Sequence, residues 1–112
     1  MPSQRDIVLV PIPFTDLSST RRRPVIVISN DQYNRTTDDI IVVAMTSNPA
    51  AIQHSFTITT ADLESGTLNH PGRVRADKIY TLSQRIVVKT FGRVNTATLD
   101  RIRQIIIDLC RS

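Results

Sequence analysis

The chain has 112 residues, the length of one domain, and its 14 Lys and Arg against 10 Asp and Glu give a formal net charge of +4. Hydrophobic residues make up 40% of the chain and it has one Cys, a composition that excludes a disordered protein, a disulfide scaffold and a transmembrane protein. Twelve of the basic residues are Arg, which favours a partner that carries phosphate or carboxylate groups. We expect residues 1–112 to form a single domain.

The N-terminal part of the chain predicts two strands separated by a long loop. Asp6–Val10 is a short apolar run closed by prolines, typical of a first strand. The segment Pro11–Arg22 is rich in Pro, Ser and Asp, and a loop of about a dozen residues in a compact domain is more often functional than not. Pro24–Ser29 predicts the second strand, and Asn30–Asn34 predicts a turn or a single helical turn.

The middle of the chain predicts two further strands. Asp39–Thr46 is apolar without clean alternation, so we expect both of its faces to be buried. His54–Thr59 alternates polar and apolar residues, which places Phe56 and Ile58 on the inward face. Thr60–Asn69 then indicates a turn that carries a short helical piece.

The C-terminal part predicts two more strands and a helix. Gly72–Asp77 alternates apolar and charged residues, and Ile86–Val94 contains Gly92, which suggests a bend or a close backbone approach. Asn95 or Thr96 can cap the final helix. The apolar stripe of this helix, expected to face the core, consists of Leu99, Ile102, Ile105, Ile106, Leu109 and Cys110. The whole pattern predicts a mainly β protein, a small β-barrel of five to six strands with a C-terminal helix against it.

A set of Arg, Thr and Asp residues falls at the ends of the predicted strands. Pro24 is best tolerated at a strand's first residue, so the packed strand would hold Arg23 at a fixed point. A fixed guanidinium suits a phosphate group, because it offers five donors and keeps its charge. Thr46 ends the third strand, while Arg75 and Asp77 share one face of the fifth. The alternatives are a solvated basic turn and a plain surface ion pair.

No residue pattern indicates a metal or cofactor site. His54 and His70 are far apart in the sequence and Cys110 is alone, so no zinc-ligand spacing is present. The sequence has neither a P-loop nor a Gly-rich dinucleotide turn. We expect Cys110 to be a small core residue. One Cys and an N-terminus without an apolar segment lead us to expect a cytoplasmic protein.

The order and spacing of several blocks resemble the MazF/PemK family of toxin endoribonucleases over the full length of the chain. The matching blocks are Asp6–Val10, Phe14–Asp16, Arg22–Ser29, Asn30–Asp31 with Asn34–Arg35, Val43–Ser47, Val74–Leu82, and Gly92–Val94 with Leu99 and the final helix. Arg5 stands where the family has a glycine that helps to form the turn into the first strand. The resemblance therefore leaves the geometry of this turn open, and Arg5 adds a basic group near the site.

This resemblance implies an SH3-like barrel and a metal-independent ribonuclease, without a cofactor, that cleaves single-stranded RNA. The 2′-OH of the RNA would attack the adjacent phosphate and leave a cyclic phosphate and a 5′-OH. Arg23 and Thr46 match the family's catalytic Arg and Thr, and Arg75 and Asp77 stand where one branch places an acid and a base. An Arg, with a pKa above about 12, donates protons poorly but stabilises charge well. We therefore expect Arg23 and Arg75 to stabilise the transition state.

The resemblance also implies roles for the other polar residues and for partners. Thr46 would hydrogen-bond a phosphate oxygen, and Asp77 would orient or deprotonate the 2′-OH. Residues expected to contact RNA outside this catalytic set are Arg21, Arg22, Ser47 and Arg85. The expected partners are an acidic cognate antitoxin that competes with RNA, a second copy of the chain in a homodimer, and operator DNA only through the antitoxin complex. Ile107 and Leu82 could serve the dimer contact or be plain core.

Two other functions stay open on the sequence. The first is a CcdB-like toxin that shares the barrel and binds gyrase. That branch ends in a Trp-containing tail, whereas this chain has no Trp. The second is a basic barrel that binds nucleic acid without cleaving it.

Overall fold

A computed structural model of the protein describes residues 1–11, 22–48 and 50–112, so Arg21 and most of the predicted loop Pro11–Arg22 lie outside the described residues. Its helices and strands, in chain order, are β1 (Asp6–Val10), β2 (Arg23–Val27), α1 (Asp31–Thr36), β3 (Asp39–Thr46), β4 (Ser55–Ile58), β5 (Leu63–Gly66), β6 (Gly72–Ser83), β7 (Lys89–Val94) and α2 (Thr96–Leu109). Two 3₁₀ turns, Thr60–Asp62 and Gln84–Ile86, precede β5 and β7. In the part of the chain that the structure describes, no helix is long and apolar enough to cross a membrane.

Within the described residues, seven strands form one antiparallel sheet in the order β4-β6-β3-β2-β1-β7-β5. The sheet curls into a half-barrel with β4 and β5 at its two ends, and α2 packs against it. This confirms the mainly β fold with a C-terminal helix. The predicted count of five to six strands was wrong, because Leu63–Gly66 pairs with β7 as β5 instead of forming part of a turn. Its last three residues are exposed, so no apolar pattern marks this edge strand.

The sheet buries an apolar cluster on each face. The first cluster, which includes Ile102 of α2, consists of Ile7, Ile26, Val43, Met45, Phe56, Ile58, Val74, Ala76, Val94 and Ile102. The second cluster consists of Val8, Val10, Val25, Val27, Ile40 and Val42. Neighbouring residues such as Ile7 and Val8 belong to different clusters because side chains alternate between the faces of a strand. The prediction that both faces of β3 are buried is therefore confirmed.

The predicted ranges of the other strands need correction. β2 begins at Arg23 and ends at Val27, earlier than the predicted Ser29. The predicted strand Gly72–Asp77 continues to Ser83. The predicted strand Ile86–Val94 begins only at Lys89, because a 3₁₀ turn covers its first residues.

Gly92 lies at the close backbone approach that the sequence suggested. A Cβ atom at this position would lie 3.0 Å from the carbonyl oxygen of Ser65 on the neighbouring strand. The glycine therefore allows β5 and β7 to pair at this point.

β6 contains a three-residue bulge that changes which side chains face the second cluster. Ala44 pairs with Arg75, but the preceding residue of β3, Val43, pairs with Ile79, so three residues of β6 lie between these two pairs. Because three is an odd number, residues beyond the bulge point to the face opposite to the one that alternation from Arg75 predicts. Tyr80 accordingly packs against the second cluster.

α2 begins where it was predicted, with Asn95 as its cap. The Asn95 side chain accepts a hydrogen bond from the Thr98 N–H at 2.9 Å, and Ile102 is fully buried. The prediction that the whole apolar stripe is core was wrong at its C-terminal end, because Leu109 and Cys110 are exposed. The last turn of α2 is thus not covered by the sheet.

Arg5 lies in the left-handed backbone region that favours glycine. Its φ is 79°, its N–H donates to Val27 at 2.8 Å, and its carbonyl accepts from Val94 at 3.0 Å. The guanidinium donates to Glu64 at 3.1 Å and to the Val94 carbonyl at 3.0 Å. The side chain is held by Glu64 of β5 and is not among the lining residues of the cavity described below.

We predict that Arg5→Ala lowers the free energy of unfolding by about 1–2 kcal/mol, whereas Arg5→Gly lowers it less. Both variants lose the guanidinium contacts, but only alanine keeps a side chain at positive φ, which costs about 1 kcal/mol. Urea unfolding of the two variants and the unaltered protein measures the difference. Equal stability of the two variants would mean that the turn stores no strain at Arg5.

Candidate functional site

A cavity of about 210 Å³ lies where the second cluster gives way to polar side chains. The described residues that line it are Arg23, Ala44, Met45, Thr46, Arg75, Lys78 and Tyr80. The cavity therefore brings together three of the four predicted catalytic residues, Arg23, Thr46 and Arg75.

Strand register explains why these three residues meet. Ala44 on β3 pairs with Val25 on one side and with Arg75 on the other. Arg23 lies two residues before Val25 and Thr46 lies two residues after Ala44, so the antiparallel register places them side by side on the same face. Three neighbouring strands thus each direct one polar residue to a single point.

Arg75 is held by Asp77 through two hydrogen bonds. Its Nε donates to Oδ1 at 3.0 Å and its Nη2 donates to Oδ2 at 3.1 Å, a bidentate geometry that fixes the plane of the guanidinium. Both side chains are partly buried, with 19% and 26% of their surfaces exposed. Asp77 itself is not among the described lining residues of the cavity. The pair therefore presents Arg75, and not the carboxylate, to a ligand.

The ion pair also fixes the charge of both groups. Hydrogen bonds from Arg75 lower the pKa of Asp77, and the same bonds raise the pKa of Arg75. A carboxylate whose proton affinity is reduced is a weak base. Asp77 is therefore poorly suited to removing a proton from a hydroxyl group.

Lys78 and Tyr80 line the cavity although the sequence reasoning missed them. Strict alternation from Arg75 places both residues on the opposite face, and the predicted strand ended at Asp77. Lys78 lies within the bulge of β6 and Tyr80 lies just beyond it, so the bulge brings both residues to the site. Only the Asp-Lys pair within an otherwise alternating strand hinted at an irregularity.

The hydroxyl of Thr46 is anchored by its own turn. Its Oγ1 accepts a hydrogen bond from the Asn48 N–H at 3.1 Å, so a lone pair is used and the O–H proton can be donated into the cavity. Ser47 is exposed and lines two neighbouring cavities instead.

The predicted RNA-contacting arginines occupy different positions. Arg22 is exposed next to Arg23, and Arg21 lies outside the described residues. Arg85 follows Ser83, which pairs with Asp39 at the start of β3, whereas Thr46 ends that strand. Seven residue steps of a strand correspond to about 23 Å. The structure therefore does not bring Arg85 to the cavity.

The described lining residues of the cavity supply three cations, Arg23, Arg75 and Lys78, and no carboxylate. Across residues 1–11, 22–48 and 50–112, no cluster of three or more His, Cys, Asp or Glu side chains could hold a metal ion. The chemistry available at this site is thus the binding of an anionic group by several donors from different strands.

The chain matches one protein family and several solved structures. Residues 3–110 match the family described as PemK-like, MazF-like toxin of type II toxin-antitoxin system. Among solved structures, an endoribonuclease in complex with its cognate antitoxin from a mycobacterial species is 22% identical with a TM-score of 0.75, covering 96% of this chain and 93% of that chain. MazF from Deinococcus radiodurans is also 22% identical, with a TM-score of 0.76 and coverage of 96% and 94%.

A MazE–MazF complex from Deinococcus radiodurans is 23% identical to this chain, with a TM-score of 0.74 over 96% of this chain and 93% of that chain. No curated protein sequence matches. The structural similarities show a shared fold, and the predicted family resemblance is confirmed.

Proposed function

Because the chain belongs to the PemK-like, MazF-like toxins of type II toxin–antitoxin systems, we propose that it is an endoribonuclease that cleaves single-stranded RNA. The observation that supports this most is the convergence of Arg23, Thr46 and Arg75 on one cavity. Two guanidinium groups and a hydroxyl suit a phosphate diester, which needs several donors at once. The structurally similar mycobacterial protein is an endoribonuclease.

The proposed reaction is an internal transesterification of the RNA. The 2′-oxygen forms a bond to the adjacent phosphorus, and the bond from phosphorus to the 5′-oxygen of the next nucleotide breaks. The 2′-OH loses a proton and the departing 5′-oxygen gains one, which leaves a 2′,3′-cyclic phosphate and a 5′-OH. The five-coordinate transition state carries more charge on its oxygens than the diester does. Fixed cations at those oxygens therefore accelerate the reaction.

The cavity residues divide this work by their chemistry. Arg23 and Arg75 place guanidinium groups on the phosphate oxygens, where their permanent charge stabilises the transition state. Thr46 donates a hydrogen bond from its hydroxyl group to a phosphate oxygen. Lys78 adds a third positive charge to the cavity.

Asp77 acts in this proposal as a positioning residue. Both of its oxygens accept bonds from Arg75, and its pKa is lowered by that partner. A base that must leave such a pair before it takes a proton is a poor catalyst. The carboxylate instead holds the Arg75 fork in the orientation that a phosphate requires.

Two kinds of partner are proposed for this chain, each at a different part of its surface. A cognate antitoxin with an acidic segment would cover the cations and exclude RNA by competition. A second copy of the chain would form the homodimer, and Ile107 of α2, which is 43% exposed, offers apolar surface for it. Leu82 is partly buried against the second cluster, which accounts for that residue as core.

The proposed function is tested by incubating the purified protein with a pool of single-stranded RNA in excess EDTA. We expect cleavage with a cyclic phosphate on one product and a 5′-OH on the other, because the cavity cations do the work that a metal ion would do. End mapping by phosphatase and kinase treatment identifies both termini.

Each of the other outcomes would contradict the proposed function or its mechanism in a different way. Binding of RNA without cleavage would indicate a nucleic-acid-binding barrel. Inhibition of gyrase without cleavage would indicate the CcdB-like alternative. Cleavage that EDTA abolishes would contradict the role given to the arginines.

A further inference from the structure

A second cavity of about 210 Å³ adjoins the cationic one, and Met45 and Thr46 line both. These two residues therefore form the wall between the cavities. Other residues of the second cavity are Pro24, Leu68, Asn69, His70 and Phe91. None of its described lining residues is Arg, Lys, Asp or Glu, in contrast to the three cations next door.

Contacts on two sides of the second cavity position residues of its lining. The Leu68 N–H donates to the hydroxyl of Thr60 at 2.9 Å, and that hydroxyl donates back to the Leu68 carbonyl at 3.2 Å. A Cβ atom on Gly72 would lie 2.7 Å from Cε of Met45, so the Met45 side chain packs against the backbone at Gly72. These contacts position Leu68 and Met45 in the lining of the cavity.

A third, smaller cavity of about 80 Å³ continues the path. It shares Ser47 and Gly72 with the second cavity and is lined by Arg73 and Asn48. Along this rim of the sheet a cationic cavity, an apolar cavity and a cavity with Arg73 follow one another. A single nucleic-acid strand alternates anionic phosphates and apolar bases in the same way.

We propose that the second cavity binds the unstacked base of the nucleotide immediately next to the scissile phosphate. Single-stranded RNA is read by proteins that splay out a base and stack it on aromatic or apolar side chains. Phe91 and Pro24 supply that surface, while Asn69 and His70 at the rim hydrogen-bond the base edge. The inference rests on the proposed function, since it takes the scissile phosphate to lie against Thr46.

Two matched variants test this assignment. Asn69→Trp places a ring at the rim of the cavity, and Thr67→Trp places the same ring on an exposed neighbour that is not among the described lining residues. Neither residue is buried, so both variants should fold. Asn69→Ala complements them, because it removes an edge contact without filling the cavity.

The probe is an RNA with 2′-deoxyribose at the cleaved nucleotide, which binds but cannot react. Its 2-aminopurine label is placed on one side of the scissile phosphate or, in a second arm, on the other. We expect a fluorescence change from one of the two labels. Asn69→Trp should abolish it and weaken binding about tenfold, the effect of losing a stacked base, while Thr67→Trp should leave it intact. With reactive RNA, Asn69→Ala should change the base preferred at that one position.

The inference and the proposed function can fail separately. If the unaltered protein does not cleave RNA, the proposed function falls. If it cleaves, but Asn69→Trp and Thr67→Trp bind equally and cut the same sequences, only the base cavity is refuted. Normal RNA cleavage by Asn69→Trp with lost antitoxin binding would make the cavity a protein-docking site and overturn the inference as well.

Discussion

Replacing Arg23 by alanine is expected to slow RNA cleavage by about 100- to 1,000-fold, the loss usually caused by removing one preorganised donor from a developing oxyanion. Arg23 lies at the first position of β2 and lines the cavity beside Thr46, so we expect its guanidinium to contact the scissile phosphate. The loss should fall on kcat more than on KM, because the extra charge exists only in the transition state. Single-turnover cleavage of a defined RNA measures it.

Arg22→Ala is the matched control for this variant. Arg22 is the adjacent residue, carries the same charge and is exposed outside the cavity lining, so its removal should slow cleavage less than about threefold in physiological salt. Arg23→Lys should lie between the two, since it keeps the charge and loses the planar fork. Equal rates for Arg22→Ala and Arg23→Ala would show that these arginines act only through their overall positive electrostatic potential, and not through a specific contact.

Removing Arg75 is expected to slow cleavage by about 100-fold and to reveal what Asp77 does. Arg75→Ala takes away a cavity donor and leaves the carboxylate without its partner. Asp77→Ala should slow cleavage by about tenfold, because Arg75 remains but is no longer held in place. Since the two residues act as a unit, the double variant should be no slower than Arg75→Ala alone. Rates that multiply would assign Asp77 an independent chemical role.

The pH dependence distinguishes positioning from general-base catalysis at Asp77. Its pKa is lowered in the folded protein, so its stabilising charge is fully present above the ordinary value of about 3.9 and is lost only as the pH falls further. The Asp77 carboxylate therefore stays ionised between pH 5 and 8 in the unaltered protein. Asp77→Asn should keep the shape of the pH–rate profile while lowering its height. A lost acidic limb would identify the carboxylate as the base.

The strands predicted correctly are those that are specified by a pattern within their own residues. β1 and β3 occupy the predicted residues because a continuous apolar run closed by breakers specifies them. β5 escaped prediction because Leu63–Gly66 is held by pairing with β7, a contact between distant segments. Cys110 was misplaced for a related reason, since a helical stripe says which residues share a face but not where the facing sheet ends.

The candidate site was predictable in part for the same physical reason. Arg23 and Thr46 sit at strand ends marked by Pro24 and by a turn, and register then joins them. Lys78 and Tyr80 were unpredictable, because alternation assumes an unbroken strand and β6 is interrupted. The Arg75–Asp77 pair was visible as spacing, but its effect on the carboxylate needed the two bond lengths.

The three-residue bulge in β6 makes both the activity and the stability of the fold depend on the same short segment. Loss or gain of one residue between Arg75 and Ile79 would turn Lys78 away from the phosphate and, in the same movement, turn Tyr80 and Leu82 out of the second cluster. Such a change should therefore abolish the activity and destabilise the fold at the same time. A substitution at Arg23, by contrast, should leave a folded but inactive toxin that still binds the antitoxin.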